Sequence, residues 1–285
     1  MSNRTIQENL SLLQQTRQNI SDALSGKGAT VTGAFSTFPN KVKGLNQVNE
    51  FMNGLMDRSV SMNNPVIDAT SNRRIIKRYA FQGCSGLTGS LVIGDNVAII
   101  ETAAFSACTG FNGTLTIGTG VTRIEGSAFY GCKSLTDNLA IPNSVTSIGS
   151  SAFMGCNGFN GTLTIGSGVT SIGINAFYGC KSLTGNLVIP NSVASIGNNA
   201  FLGCKGFTGT LTIGSGVTSI GANAFYNIPN LQSMTILATT PPTLGNATNS
   251  LGQTTYTYPI YVPAGSLSAY KNEYTNYSTR IHAIP

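Results

Sequence analysis

The stretch from Gly158 to Leu183, GFNGTLTIGSGVTSIGINAFYGCKSL, decides how this chain folds. Versions of it recur through the middle of the sequence. The dipeptide Ala-Phe stands at 80/81, 104/105, 128/129, 152/153, 176/177, 200/201 and 224/225, a strict period of 24 residues held over seven copies. Cys84, Cys108, Cys132, Cys156, Cys180 and Cys204 keep the same step, as do the valines from Val97 to Val217 and the isoleucines from Ile100 to Ile220. A period of about 20 to 50 residues sustained over that many copies marks a solenoid or an array.

One copy offers Leu163, Ile165, Val169, Ile172, Ala176, Phe177 and Cys180 as core, too little apolar surface to close on itself. Stacked copies bury these columns against one another, so stability comes from neighbour interfaces. LTI and VTSI are each long enough for one short strand per coil. With strands about 4.8 Å apart, seven coils make a rod or shallow arc roughly 34 Å long. Gly166, Gly168 and Gly173, with Pro142 and Pro190 in sister copies, are expected at the corners. The glycines are then accounted for without a phosphate-cradling loop. A second period is superimposed: Phe111, Phe159 and Phe207 alternate with Leu87, Leu135 and Leu183, and IGSGV alternates with IPNSV, so the unit is a 48-residue pair.

The segment CKSLTGNLVIPNSVASIGNNAF, Cys180 to Phe201, resembles the BspA-like class of leucine-rich repeats. ATTPPTL (238–244) and IYVPAGSLSAYK (260–271) are similar to that family's C-terminal cap. The unit here is one residue longer than the commoner one of that class. The resemblance spans about residues 75–285 and implies a right-handed β-rich solenoid, here of seven coils of 24 residues, used for binding, mostly at cell surfaces. It implies no catalytic residue. The expected organisation is a helical attachment module (1–48), a linker and N-terminal cap (49–74), the solenoid (75–237) and a C-terminal cap (238–285). Pro241-Pro242 is expected to stop the stacking. A strand is expected at 258–262 and a short helix from Ser266.

Charged residues make up 9% of the chain, against about 25% in ordinary domains. The net charge of +6 is uneven: residues 1–78 carry ten Lys/Arg against five Asp/Glu, whereas residues 79–240 carry four of each. A nearly neutral repeat surface argues against nucleic acid as its ligand. The six cysteines, aligned in one inward column, are read as buried free thiols rather than disulfides or metal ligands; there is no C-x-x-C and no nearby histidine. That fits folding in a reducing compartment. The N-terminus lacks the apolar run of a signal peptide, and no segment approaches the ~18 apolar residues of a membrane span. The expectation is therefore a protein made in a cytoplasm, with no membrane insertion.

Residues 5–25 read as a helix with Ile6, Leu10, Leu13, Arg17, Ile20 and Leu24 at heptad-like seam positions. This stripe is either an oligomer seam, with a trimer favoured, or a face packed on its own chain. Together with FPNKVKGL it makes a segment of about 45 residues that resembles N-terminal segments of bacteriophage tail and fibre proteins. The resemblance implies attachment to other virion proteins through residues 1–48. Arg73, Arg74, Lys77 and Arg78 form the densest charge cluster, either a solvated capping edge or a contact for an acidic partner or glycan.

The column after Ala-Phe holds Gln82, Ser106, Tyr130, Met154, Tyr178, Leu202 and Tyr226, beside a second column containing Lys133, Lys181 and Lys205. Tyr130, Tyr178 and Tyr226 with these lysines are the candidate ligand stripe, suited to stacking on sugar rings. The alternative is a row of half-buried packing residues. Thr114/Thr116, Thr162/Thr164 and Thr210/Thr212 occur only in alternate coils, which weighs against an ice-binding face. His282 is the only histidine, so no Ser-His or Cys-His pair exists in the repeats. Glu101 and Glu125 are read as variable surface positions. No catalytic, cofactor-binding or metal residues are expected.

The function expected from these features is non-enzymatic binding. The main reading is a bacteriophage tail or head fibre protein, located in the virion, that presents the solenoid to a host-surface glycan or protein. The alternatives are a bacterial cell-surface or secreted adhesin and a purely structural virion component.

Overall fold

The computed structural model describes residues 60–62 and 74–285, with side chains from Ile75 onward. The chain divides into units 1–45 and 46–285, and all the described residues belong to the second. The helix expected over 5–25, its seam at Ile6, Leu10, Leu13, Arg17, Ile20 and Leu24, and the rest of the 1–48 module lie outside the described residues.

The described residues form a right-handed parallel β-solenoid. Each 24-residue coil contributes one strand to each of two ladders; the first is hydrogen-bonded as three successive parallel sheets and the second as one continuous sheet. The first ladder collects Leu91–Ile93, Leu115–Ile117, Leu139–Ile141, Leu163–Ile165, Leu187–Ile189 and Thr210–Ile213. The second is an eight-stranded sheet from Arg74–Ile76 through Ser171–Ile172 to Thr243–Leu244. All pairings are parallel, and between true repeats they join residues 24 apart, such as Leu187 with Leu211 and Ile172 with Ile196. Alternation within each strand sends Leu163 and Ile165 inward and Thr164 outward.

The solenoid has about nine turns rather than seven. Val60–Met62 pairs ahead of Leu91–Ile93, and Ser233–Ile236, Ile260–Val262 and Ile281–Ala283 extend the first ladder past the last repeat. These strands lack the Ala-Phe-Cys signature, but backbone pairing does not require it. Pro241-Pro242 does not end the stacking either. Thr243–Leu244 follows directly and pairs with Ser219–Ile220. The expected cap strand and helix appear as Ile260–Val262 and Leu267–Glu273.

The core is a set of continuous columns. Phe81, Phe105, Phe129, Phe153, Phe177, Phe201 and Phe225 stack with ring centroids 5.1–5.4 Å apart and planes within 3–10° of parallel. Each contributes burial plus an offset-stacking interaction with its neighbours. The cysteines are free thiols, and five of them donate backward to a carbonyl in the preceding coil. Cys132 Sγ bonds Phe105 O at 3.1 Å, and Cys180 Sγ bonds Phe153 O at 3.1 Å. Burial pushes the Cys180 thiol up to about 12, partly countered by a backbone hydrogen bond from Cys156. Ile228 takes the cysteine position in the last repeat and is fully buried.

The corner glycines carry a different constraint from the one expected. Gly166, Gly168 and Gly173 do not adopt positive φ. They are glycine because the preceding coil lies too close for a Cβ. One added at Gly168 would sit 2.0 Å from Asn143 O, and one at Gly166 would sit 2.3 Å from Pro142 O. Left-handed backbone occurs elsewhere, at the residue before Ala-Phe (φ 55–60°) and at the second residue after it (φ 57–76°). The second site is glycine in five coils, Ala107 in one and Asn227 in another, in keeping with the preference of this region for Gly and Asn.

The same contacts explain the 48-residue period. In each IPNSV coil an asparagine side chain accepts a backbone N–H from the next coil. Asn138 Oδ1 accepts from Thr162 N and Asn186 Oδ1 from Thr210 N, both at 2.8 Å. Asn143 and Asn191 do the same for Ser167 N and Ser215 N at 2.9 Å. The receiving IGSGV coil must then be bare beside them: a Cβ at Gly161 would lie 2.3 Å from Asn138 Oδ1, and one at Gly209 2.0 Å from Asn186 Oδ1. In the opposite step Ser144 and Ser192 donate to Val121 O and Val169 O at 2.7 Å. Coils of one kind cap the other kind, so neither could stack on itself with the same bonds.

At the far end, cap tyrosines cover the open core. Tyr270, Tyr274 and Tyr277 are buried, and their hydroxyls donate to Ala238 O, Pro242 O and Gly252 O respectively. Carbonyls that would otherwise meet apolar surface are thereby satisfied.

Candidate functional site

The Ala-Phe turn is fixed by a run of backbone hydrogen bonds to the next coil. Asn175, Phe177 and Gly179 donate their N–H groups to Asn198 O, Ala200 O and Leu202 O of the next coil at 2.8–2.9 Å. With Phe177 buried and Gly179 left-handed, the residue between them is held outward. Tyr130 is 42% exposed and Tyr178 37%, whereas Tyr226 is half-buried near the C-terminal cap. The intervening members differ: Gln82 is exposed, Ser106 is buried, and Met154 and Leu202 are half-buried. The column is thus a fixed row of aromatic rings with one intermediate side chain between successive tyrosines. Tyrosines two coils apart are separated by roughly 10 Å, twice the 5.1–5.4 Å between successive phenylalanine rings.

Lys133, Lys181 and Lys205 are exposed on the same corner, three residues beyond the tyrosine column. Among the described residues the ion pairs are Lys77–Glu101 (3.5 Å) and Arg123–Glu125 (2.5 Å), so these three lysines have no acidic partner. Glu101 and Glu125, one coil apart, are each engaged by a neighbouring base rather than by each other. Surface pairs of this kind add little stability. Of the basic cluster around residue 75, Lys77 and the Arg78 N–H are turned to Glu101, and Arg78 lies over the Tyr79 ring at 5.9 Å.

Tyr256, which sequence reasoning missed, extends the aromatic row. Phe225 N donates to Ser250 O, which puts Leu251 at the phenylalanine position and Gly252 at the position of Tyr226. A Cβ on Gly252 would meet the Tyr256 ring at 3.1 Å and Tyr258 Oη at 2.7 Å. Tyr256 therefore fills the place a side chain at 252 would take. Its hydroxyl is raised mainly by burial and further by Tyr226, while Arg280 lowers it. Arg280 itself is buried, with Nε on Tyr258 O at 2.9 Å, Nη1 on Gln253 O at 3.2 Å and its guanidinium 4.3 Å from the Tyr258 ring centre. Nη2 has no hydrogen-bond partner. No periodic signal could have placed Tyr256, because its register comes through Gly252.

The second ladder presents a separate shallow groove of about 510 Å³. Its floor is Ser171, Ser195, Ser219 and Thr243, with Gly173, Gly197 and Gly221 alongside and exposed Ile174 on the rim. It is uncharged and shallow. Next to it, Thr146, Thr170 and Thr218 spend their hydroxyls on carbonyls of the preceding coil at 3.0–3.1 Å. On the first ladder, Thr162 and Thr210 likewise bond Asn138 and Asn186 rather than standing as free Thr-x-Thr arrays. Among the described residues no group of three or more His, Cys, Asp or Glu could hold a metal ion, and no helix is long and apolar enough to cross a membrane.

The family description "BspA type Leucine rich repeat region" matches residues 58–184 and 170–250, in six copies. The chain belongs to this family. The Val, Ile, Ala, Phe and Cys positions of its coil signature, Val-x-x-Ile-Gly-x-x-Ala-Phe-x-x-Cys, are columns that the solenoid buries. Solved structures similar to this BspA-type chain include a leucine-rich repeat protein of T. pallidum, with 22% identity, 60% of this chain and 70% of that one covered, and a TM-score of 0.41. A leucine-rich cell surface protein of Faecalibacterium prausnitzii gives 19%, 69%, 79% and 0.35 on the same measures. A leucine-rich repeat protein of Bacteroides ovatus gives 16%, 78%, 91% and 0.30. No curated protein matches the chain. The matching family is defined by its repeat and names no reaction.

Proposed function

We propose that this BspA-type protein is a non-enzymatic adhesin that uses its solenoid to hold a carbohydrate-bearing surface. The observation that carries the reading is the row of outward tyrosines, Tyr130, Tyr178 and Tyr226, beside Lys133, Lys181 and Lys205, which have no acidic partner among the described residues, on a corner bonded from coil to coil. Rings held in place before binding lose little freedom on binding, and an aromatic face suits the apolar face of a sugar. Membership of the BspA-type repeat family supports the placement at a cell surface. Fluorescently labelled full-length chain should bind saturably to microbial or host cells, and periodate oxidation of surface glycans should remove most of that binding. Saturable binding insensitive to periodate but abolished by proteolysis of the cells would replace the glycan with a protein receptor. Absence of saturable binding across a broad panel of cells would contradict the adhesin reading.

Attachment to a virion is a second reading, favoured by the likeness of residues 1–48 to bacteriophage tail and fibre segments. In that case deletion of residues 1–48 abolishes incorporation into virions, and normal incorporation contradicts it. The seam at Ile6, Leu10, Leu13, Arg17, Ile20 and Leu24 further makes the full chain a trimer and a chain beginning near residue 60 a monomer. Solution mass of the two decides this.

A further inference from the structure

We propose that the Tyr/Lys corner binds an extended anionic polysaccharide, laid along the solenoid axis with sugar faces on Tyr130, Tyr178 and Tyr226 and acidic groups toward Lys133, Lys181 and Lys205. This deepens the adhesin reading and rests on it. Three features of the corner select this ligand class.

The first is the spacing. The rings recur every second coil, roughly 10 Å apart by the phenylalanine separation within the core. That step accommodates two sugar units of an extended chain between stacked positions, which a compact or branched epitope would not exploit. None of the three tyrosine hydroxyls is engaged by a described residue, so each is free to donate to the ligand.

The second is the charge. The lysine column reads Ser85, Thr109, Lys133, Asn157, Lys181, Lys205 and Pro229, with no acid in any coil. Among the described residues the three ammonium groups have no acidic partner, while Glu101 and Glu125 are spent on Lys77 and Arg123, and Asp95 Oδ1 on Thr119 N at 2.6 Å. Asp137, exposed four residues past Lys133, is the acid nearest to it along the chain. The groove on the second ladder is uncharged. Positive potential is therefore concentrated on the corner that also carries the rings.

The third is the end of the row. Tyr256 continues it over Gly252, and behind the cap lies Arg280, buried and, among the described residues, without a carboxylate partner and with Nη2 unsatisfied. A buried cation whose charge is not cancelled extends the positive field to the C-terminal end of the row.

The test uses the full-length chain with four polymers: polygalacturonate and its methyl-esterified form, and dextran sulfate and dextran. Retention by the two anionic polymers but not by their uncharged counterparts is the expected result. It should weaken with salt, and by about tenfold or more in the Lys133→Glu/Lys181→Glu/Lys205→Glu variant, a loss of about 1.4 kcal/mol per tenfold. Tyr178→Ala should lower retention as well, and Asp137→Asn should raise it. Unchanged melting midpoints show that the variants are folded, since all these side chains are exposed. Preference for one anionic polymer names carboxylate or sulfate as the acidic group. Equal retention of charged and uncharged polymers, or retention by anionic polymers that the lysine variant leaves unaltered, overturns the proposal. If the chain binds cells but none of the four polymers, this inference fails while the adhesin reading stands; if it binds neither, both fail.

Discussion

Phe177 and Tyr178 are neighbours in sequence and opposites in role. The phenylalanine column is the same residue in all seven repeats, from Phe81 to Phe225, buried in each and stacked at a 5.1–5.4 Å interval. The next column changes from coil to coil, and its exposed members recur at twice that interval. Uniformity inside follows from physics alone. Each ring must match the one above and the one below, so any coil that departs leaves a gap on both sides. Nothing in the stacking demands tyrosine at that position, which the exposed Gln82 and the buried Ser106 occupy without altering the turn. The inner columns report how the solenoid stands up; the outer ones are free to report what it holds.

If that division is right, the interior should be intolerant and the corner permissive. Phe153→Ala, in the middle of the stack, should cost about 3–5 kcal/mol, read by urea or thermal unfolding. A much smaller loss would mean that the coils can collapse around the gap. The thiol column should make the fold sensitive to alkali. Cys108 and Cys180 are each pushed up to about 12, the first chiefly by its hydrogen bond with Cys132 and the second by burial. A group bound more tightly to its proton in the folded state stabilises the fold below its unfolded value near 9, and that contribution is lost as pH rises from about 9 toward 12. Burial raises the cap tyrosines Tyr258 and Tyr277 to about 12 as well, so they add to the same slope. The melting midpoint should hold near neutrality and fall through this window. A flat profile to pH 11 would contradict the enclosed thiols.

The coil-to-coil contact supplies a finer test. Gly168→Ala places a methyl 2.0 Å from Asn143 O and should cost about 1–3 kcal/mol as the coils are forced apart. Gly155→Ala has nothing within 4 Å but a φ of +73°, so its cost is conformational alone, about 1 kcal/mol. A reversed order would show that backbone strain outweighs the steric contact. In the other direction, Ala107→Gly puts the residue of most sister coils into a left-handed site (φ 57°) and should stabilise by up to about 1 kcal/mol.

The repeat was legible because inward side chains must be apolar and must return at the coil length. The Phe and Cys columns and the two strands per coil could be read from that alone. The glycines could not be sorted, because a sequence does not distinguish a glycine needed for positive φ, such as Gly179, from one needed for the absence of a Cβ, such as Gly168. The alternation of IPNSV with IGSGV shows in the sequence only as a 48-residue period; in the fold it is a reciprocal fit, with Asn138 on one side and Gly161 on the other. The extra turns escaped notice because Val60–Met62 and Ile260–Val262 stack through backbone pairing and need no signature. On the candidate corner, Tyr130 and Tyr178 were visible through their period, but Tyr256 joins through a register that only the fold sets.

The most direct measurement is the Tyr130→Ala/Tyr178→Ala/Tyr226→Ala variant beside the native chain, with melting midpoint and cell binding recorded on the same samples. Exposed and half-exposed positions of this kind should cost no more than about 0.5 kcal/mol each, so the account predicts a nearly unchanged midpoint with binding lost. A midpoint that falls as far as in the Phe153→Ala protein, with binding retained, would show that the tyrosines are packing residues and that the solenoid holds its ligand elsewhere.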